Sequence, residues 1–305
     1  MRLQETLTLI LAFACALTWP LRAGGADEPL RVKAMTFNIR FGTAPDGPNE
    51  WTRRRTMVMD VIRDSACDFV GVQESMPFQT EQLTHALPQY LHISRTREAD
   101  PRKGEATPIF YHHDRWRLDD QENGTFWLSS RPDEPGSKGW SAALPRITTW
   151  ARFVEKNTGR GVYVFNTHLD HISGDARLNG AKLIAQRIAG RARPDEPVIL
   201  TGDLNAGESD DPVRYLIGAG SDSPARLIDT FRAIHPEAKD VGTMTVNDKG
   251  EWVGRRDGPK IDYIFAAPVM QVVTASIDYY NVDGRYPSDH YPVTTELLLQ
   301  PGAKP

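Results

Sequence analysis

The 305-residue chain is 40% hydrophobic and 25% charged, with a formal net charge of −4, enough apolar material to close one large core or two small ones. The mildly acidic balance argues against tight nonspecific polyanion binding, which draws on many Lys and Arg contacts. Two cysteines, Cys15 and Cys67, exclude a disulfide-dense scaffold.

Met1 and Arg2 precede an apolar stretch at residues 7–19, and small residues follow in RAGGADEPL. Residues 1–26 therefore read as a cleaved signal peptide, with Ala23 and Ala26 as candidate cleavage sites. The run is shorter than the roughly 20 apolar residues of a membrane anchor. The expected location is periplasmic or secreted, with one domain over 27–300 and a short tail at 301–305. Once the leader is removed, only Cys67 remains. No intrachain disulfide is then available, and Cys67 reads as a small core residue.

RVKAMTFN (31–38) alternates toward a strand, and a loop rich in Gly and Pro follows. Val58, Val61 and Ile62 recur at helical spacing, which predicts a helix over 52–63. DFVGVQE is a second strand ending on Glu74, and Pro77 opens another helix containing Leu83. RITTWARFVEKNTGRGVYVFNTH is a hairpin turned at Asn157-Thr158-Gly159. A helix is expected over 177–193, with Leu178, Ala181, Ala185 and Ile188 on one side, then a strand in PVILTGDLN. KIDYIFAA, VVTASIDYY and PVTTELLLQ complete the chain as three more strands. A faint internal echo runs through this series. Strand, loop, helix and strand lead from Phe37-Asn38 to Glu74, and again from Phe165-Asn166 to Asp203. The echo predicts two similar layers facing each other.

Polar residues interrupt the apolar runs at one strand exit after another: Asn38, Glu74, Asn166, His168, Asp170, Asp203, Asn205, Asp262, Asp289 and His290. Taken singly, each has an ordinary explanation as a turn former, a cap or hydrogen-bonded scaffolding. Together they suggest a site, because ionisable groups near a core are costly unless paired or bound to metal.

The segments MTFNIRFG, GVQES, FNTHLDH, LTGDLNA, KIDYIF and YPSDHYPV resemble, in order, the motif set of the endonuclease/exonuclease/phosphatase (DNase I-like) superfamily, and the leader makes the chain similar to its secreted bacterial members. The resemblance implies an α/β fold, a four-layer α/β/β/α sandwich of two mixed β-sheets flanked by helices, with a metal-dependent phosphoesterase centre at one rim. It implies Asn38, Glu74 and Asp289 as metal residues and Mg²⁺ as cofactor, with Mn²⁺ or Ca²⁺ as alternatives, in keeping with hard oxygen donors. It implies Asp203 as the group that orients or deprotonates the attacking water, and Asn205 as a holder of a phosphate oxygen or the nucleophile, pointing the same way two residues along an extended chain. An Asp262–His290 pair would keep the imidazole oriented and charged, and His168 would be a leaving-group acid or phosphate donor. His168, Asp170 and His171 offer a zinc-like spacing, but the rest of the set is oxygen donors and lacks cysteine.

Substrate choice belongs to the loops. Arg53, Arg54 and Arg55 are either a second phosphate site or a solvated helix start; Asp170, Arg146, Trp252 and Arg255 are candidate substrate contacts or ordinary surface residues. The first functional reading is an exported divalent-metal-dependent phosphoesterase acting on a small sugar, inositol or lipid head-group phosphate. The alternatives are a secreted DNase I-like endonuclease or exonuclease and a non-catalytic binding protein on the same fold. The expected partner is accordingly a phosphorylated small molecule or a nucleic acid, for a monomer with no stable membrane insertion.

Overall fold

The computed structural model describes residues 28–219 and 222–302, so the expected signal peptide and residues 303–305 of the tail lie outside the described residues. Strand β1 (Leu30–Asn38) begins with Arg31 and Lys33 exposed between buried neighbours and is buried on both faces from Ala34 onward. Such a strand needs a cover on each side. On one side lie helices α1 (Trp51–Ser65) and α2 (Pro77–Ala86), whose Val58, Ile62 and Leu83 pack with Met35, Phe37 and Val72. A second sheet covers the other side.

The first sheet has the order β11-β12-β1-β2-β4-β3. Its members are β1, β2 (Phe69–Gln73), β3 (Tyr90–Ile93), β4 (Ile109–His112), β11 (Met270–Ile277) and β12 (Val293–Leu299). The second has the order β5-β6-β7-β8-β10-β9. It contains β5 (Trp116–Trp127), β6 (Ile147–Glu155), β7 (Gly161–His168), β8 (Val198–Asp203), β9 (Ile228–Asp229) and β10 (Asp262–Ala266). Helices α3 (Gly174–Ala189) and α4 (Asp211–Leu216) cover its outer face through Ala181, Ile184, Val213 and Leu216, and α5 (Thr230–Ile234) contributes Phe231 to the layer between the sheets. Phe69, Tyr111, Phe153 and Val164 fill that central layer, which completes a four-layer α/β/β/α sandwich.

The internal echo is real in three dimensions. In each sheet one neighbouring pair, β1 with β2 and β7 with β8, is parallel. A parallel pair requires a crossover, and α1 and α3 supply it. Both parallel pairs therefore end at the same kind of strand exit.

Two features bring the sheets together. Asn166 is fully buried; its Nδ2 donates to the carbonyls of Val72 at 2.8 Å and Pro108 at 2.9 Å, and its Oδ1 accepts from Gln73 and Thr201. Gly71 faces this group so closely that a Cβ there would lie 2.1 Å from Thr201 Oγ1. Asn166, grouped with the site residues by sequence, is thus a polar pin between the sheets.

Helix α3 differs from its expected span of 177–193. It starts at Gly174 because the Ser173 hydroxyl accepts from the Ala176 amide, and it stops at Ala189, before Gly190. Strands β3, β4, β5 and β9 and helices α4 and α5 arise in stretches to which the sequence pattern assigned no element, because mixed polarity hides the period there. Cys67 is buried beside Val70 and Tyr90 as expected, and burial pushes its thiol up to about 11. No helix among the described residues is long and apolar enough to cross a membrane.

Candidate active site

Three strand ends of the second sheet form one row. His168 closes β7, Asp203 closes β8 and Asp262 opens β10, and the register places both His168 and Asp262 beside Asp203. The first sheet contributes Asn38 at the end of β1 and Glu74 just after β2. The Asn38 amide spans the two sheets, donating to Glu74 Oε1 at 3.1 Å and to Asp203 Oδ2 at 2.9 Å. His290, on the approach to β12, pairs through Nδ1 with Asp262 Oδ2 at 2.9 Å, and its Nε2 lies 3.9 Å from Asp203 Oδ2. Residues distant in sequence thus converge on the Asp203 carboxylate.

Backbone strain marks the same place. Arg40, Glu74 and Asn205 adopt positive φ of 57°, 61° and 47°, unusual for residues with a Cβ. The Glu74 turn lets its Oε2 accept the Phe41 amide at 2.9 Å, while Asn38 Oδ1 accepts the Arg40 amide at 3.0 Å. Asn205 reaches the centre by a left-handed turn after the strand, which corrects the extended geometry expected for it. Its amide N–H donates to Asp203 Oδ1 at 2.8 Å, and its side-chain Nδ2 donates to the Leu169 carbonyl at 3.1 Å and lies 3.0 Å from His168 Nε2. Asparagine tolerates this conformation better than most residues.

Burial and neighbouring charge divide the two histidines. Burial, with Arg146 and Arg97 adding to it, holds His168 well below its ordinary range. A neutral His168 accepts from Asn205 through Nε2. His290 is also buried, which opposes its charge, yet Asp262, Asp203 and Asp289 outweigh that penalty and hold it well above the usual value. Asp203 is pushed up to about 7, first by burial and then by the facing Asp262. Burial also raises Asp289, whose neighbours include Glu74 and Arg40.

Asp203, Asp262 and His290 each offer a ligand atom, all within 4.8 Å of one another, a group able to hold a metal ion. Asp262 Oδ1 is buried without a hydrogen-bond partner. Glu74 and Asp289 add two more carboxylates alongside. The combined donor set is rich in oxygen and lacks cysteine, which suits a hard divalent cation.

The remaining expected residues separate. Asp170 is buried and accepts from the amides of Ala143, Ile172 and Ser173, so its oxygens shape the loop before α3. Arg146 is 5% exposed and donates to His171 Nδ1 at 2.9 Å beside the centre. Arg255 is not brought to the centre; its guanidinium pairs with Asp248 and Asp257 on the surface loop. Trp252 stacks against Arg54 at 5.6 Å. Arg54 is a buried clamp on the carbonyls of Ile39, Arg40, Asn49 and Pro287, and burial lowers it to about 10. It holds the loop that follows Asn38 and the stretch just before Asp289. Arg40, Arg97 and Glu105 escaped sequence reasoning. Arg40 stands inside the MTFNIRFG motif, which was a usable signal, whereas Arg97 and Glu105 lie in a featureless polar loop.

A profile of the Endonuclease/Exonuclease/phosphatase family matches residues 35–290. A crystal structure of an endonuclease/exonuclease/phosphatase from Bacteroides vulgatus is 32% identical, with a TM-score of 0.79 over 89% of this chain and 100% of that one. A mannosyl-6-phosphatase from Bacteroides thetaiotaomicron is 31% identical, with a TM-score of 0.75 over 87% and 99%. An uncharacterized protein of Acanthamoeba polyphaga mimivirus, L388, is 25% identical over 86% of this chain and 98% of its own. With the profile spanning nearly all of the two-sheet sandwich and the strand-end residues gathered around Asp203, the chain belongs to the endonuclease/exonuclease/phosphatase family.

Proposed function

We propose that the chain is an exported, divalent-metal-dependent hydrolase of a small phosphoester, with Asp203 as the base that takes a proton from the attacking water. The observation that carries this reading is the Asp203 carboxylate itself: buried, fixed by Asn38 from the opposite sheet and by the Asn205 amide, and pushed up to about 7 by burial and the facing Asp262. A base poised near the working pH combines a useful ionised fraction with a real affinity for the proton. His290, kept charged by Asp262, faces the phosphoryl group and offsets the charge that builds up there. His168 and Asn205 hold one another beside the phosphoryl oxygens.

Glu74 and Asp289, with the Asn38 side chain, are the better metal residues, because an imidazole kept as a cation by Asp262 has no lone pair to offer. A divalent cation held by these residues would supply positive charge to the phosphate and make a nearby water more acidic. The 31% identity to a mannosyl-6-phosphatase and the acidic net charge support a phosphorylated sugar over a polymer. Residues 1–26 support export to the periplasm or beyond, and the protein acts as a monomer.

The test is hydrolysis by purified protein of sugar phosphates, p-nitrophenyl phosphate, its bis ester, plasmid DNA and RNA, with Mg²⁺, Mn²⁺ or chelator. Asp203→Ala and His290→Ala are each expected to lower kcat/KM by about 10²- to 10⁴-fold with unchanged circular dichroism. Unchanged turnover in both variants removes the assignment. DNA cleavage without sugar-phosphate turnover makes the protein a nuclease.

A further inference from the structure

Next to His168 lies a small, partly open pocket bounded by Arg97, Glu105 and Arg146, with about 10 Å³ in which a water-sized group can be centred. Arg97 sits in the loop between β3 and β4. Its amide donates to the Glu105 carbonyl at 2.8 Å, and the next residue, Ala106, bridges to Ser75, adjacent to Glu74. The Trp127 indole donates to the Arg97 carbonyl and secures the loop from the second sheet. Arg146 stands just before β6. The backbone that carries each guanidinium group is therefore fixed by the scaffold.

Their donors are only partly used. Arg97 Nη1 donates to Glu105 Oε2 at 2.7 Å, and Arg146 Nη2 donates to His171 Nδ1 at 2.9 Å. The Nε atoms of both are buried without a hydrogen-bond partner. Their ion-pair contacts, to Glu98 at 3.8 Å and Asp170 at 3.9 Å, exceed hydrogen-bond length. The side chains are 10% and 6% exposed. Two buried cations with idle donors are costly in isolation, and acceptor oxygens of a bound anion would satisfy them. Planar guanidinium groups suit phosphoryl oxygens in particular.

A phosphomonoester presents three terminal oxygens and close to two negative charges near neutral pH, whereas a diester presents two oxygens and one charge. Two buried cations with unpaired Nε donors match the additional oxygen and the additional charge of the monoester. We infer that Arg97 and Arg146 form a phosphoryl-oxygen subsite beside His168 that selects phosphomonoesters over phosphodiesters. This inference rests on the hydrolase reading above and narrows it.

The experiment compares kcat/KM for p-nitrophenyl phosphate and bis-p-nitrophenyl phosphate in wild type, Arg97→Gln, Arg146→Gln and Arg146→Lys. Each Gln variant is expected to lose about 10- to 100-fold on the monoester and less than about threefold on the diester, with the Lys variant between. Equal losses on both esters, or none on the monoester, overturn the subsite. Isothermal calorimetry with inorganic phosphate and dimethyl phosphate separates this from the hydrolase reading. If wild type turns over neither ester, hydrolysis fails alone. Phosphate affinity weakened at least about tenfold in the folded Arg146→Lys protein, with dimethyl phosphate affinity unchanged, then still supports the subsite. Equal phosphate affinity in wild type and variant overturns it.

Discussion

In the proposed mechanism Asp203 and His290 have opposite requirements, and the overlap sets a pH window. Asp203 works ionised and is raised to about 7, so kcat/KM should climb as pH passes upward through that value. His290 works protonated and is held well above its ordinary value, so activity should fall again only at higher pH, where the imidazole loses its proton. Asp262 supports both shifts, by facing Asp203 and by pairing with His290 at 2.9 Å. Asp262→Asn should therefore move the acid and the alkaline limbs of the profile to lower pH, with a loss in kcat/KM of about 10²-fold. A pH profile of kcat/KM measures this directly, and an alkaline limb that stays in place would sink the pairing.

Among the elements, β2 and the loop after it connect packing to chemistry. Gly71 lies where the two sheets approach closely, with Thr201 and Asn166 too near to accept a Cβ. Gly71→Ala is expected to destabilise the fold by about 1–3 kcal/mol, read as a lower denaturant midpoint at unchanged slope. Three residues further, Glu74 leaves the strand at a φ of 61°, and that turn aims its carboxylate at Asn38 and the Phe41 amide. The β2 strand therefore sets both the spacing of the sheets and the position of the proposed metal residue Glu74. Helix α3 has a simpler part, its Ser173 cap fixing where the chain turns after His168 and Asp170.

Across the whole molecule, the sandwich gathers four carboxylates, Glu74, Asp203, Asp262 and Asp289, around one end of a protein already carrying a net charge of −4. Their mutual repulsion makes a bound cation stabilising for the folded state alone. At a Mg²⁺ concentration about a hundredfold above Kd the gain is about 2.7 kcal/mol, which for a domain of this size corresponds to roughly 5 °C in Tm. Glu74→Gln should reduce that rise sharply, and chelator should reverse it in the native protein. A Tm indifferent to Mg²⁺ in both proteins would remove the metal assignment.

Strand-helix-strand order and the placement of Asn38, Glu74, His168 and Asp203 at strand ends were legible in the amino-acid order, because hydrophobic period and turn chemistry are local properties. Pairing was not local. The row His168–Asp203–Asp262 depends on β8 lying between β7 and β10, and the Asn38–Asp203 contact depends on two sheets meeting face to face. Arg54 and Asn166 show the converse, residues of the right chemical type whose buried partners turn them into scaffolding. Arg97 illustrates the limit, since a charged residue in a polar loop carries no local mark of burial. Sequence by itself determined which strand ends carry reactive groups; the tertiary structure alone decided which of them share a dielectric environment, and hence which are charged, neutral or poised between.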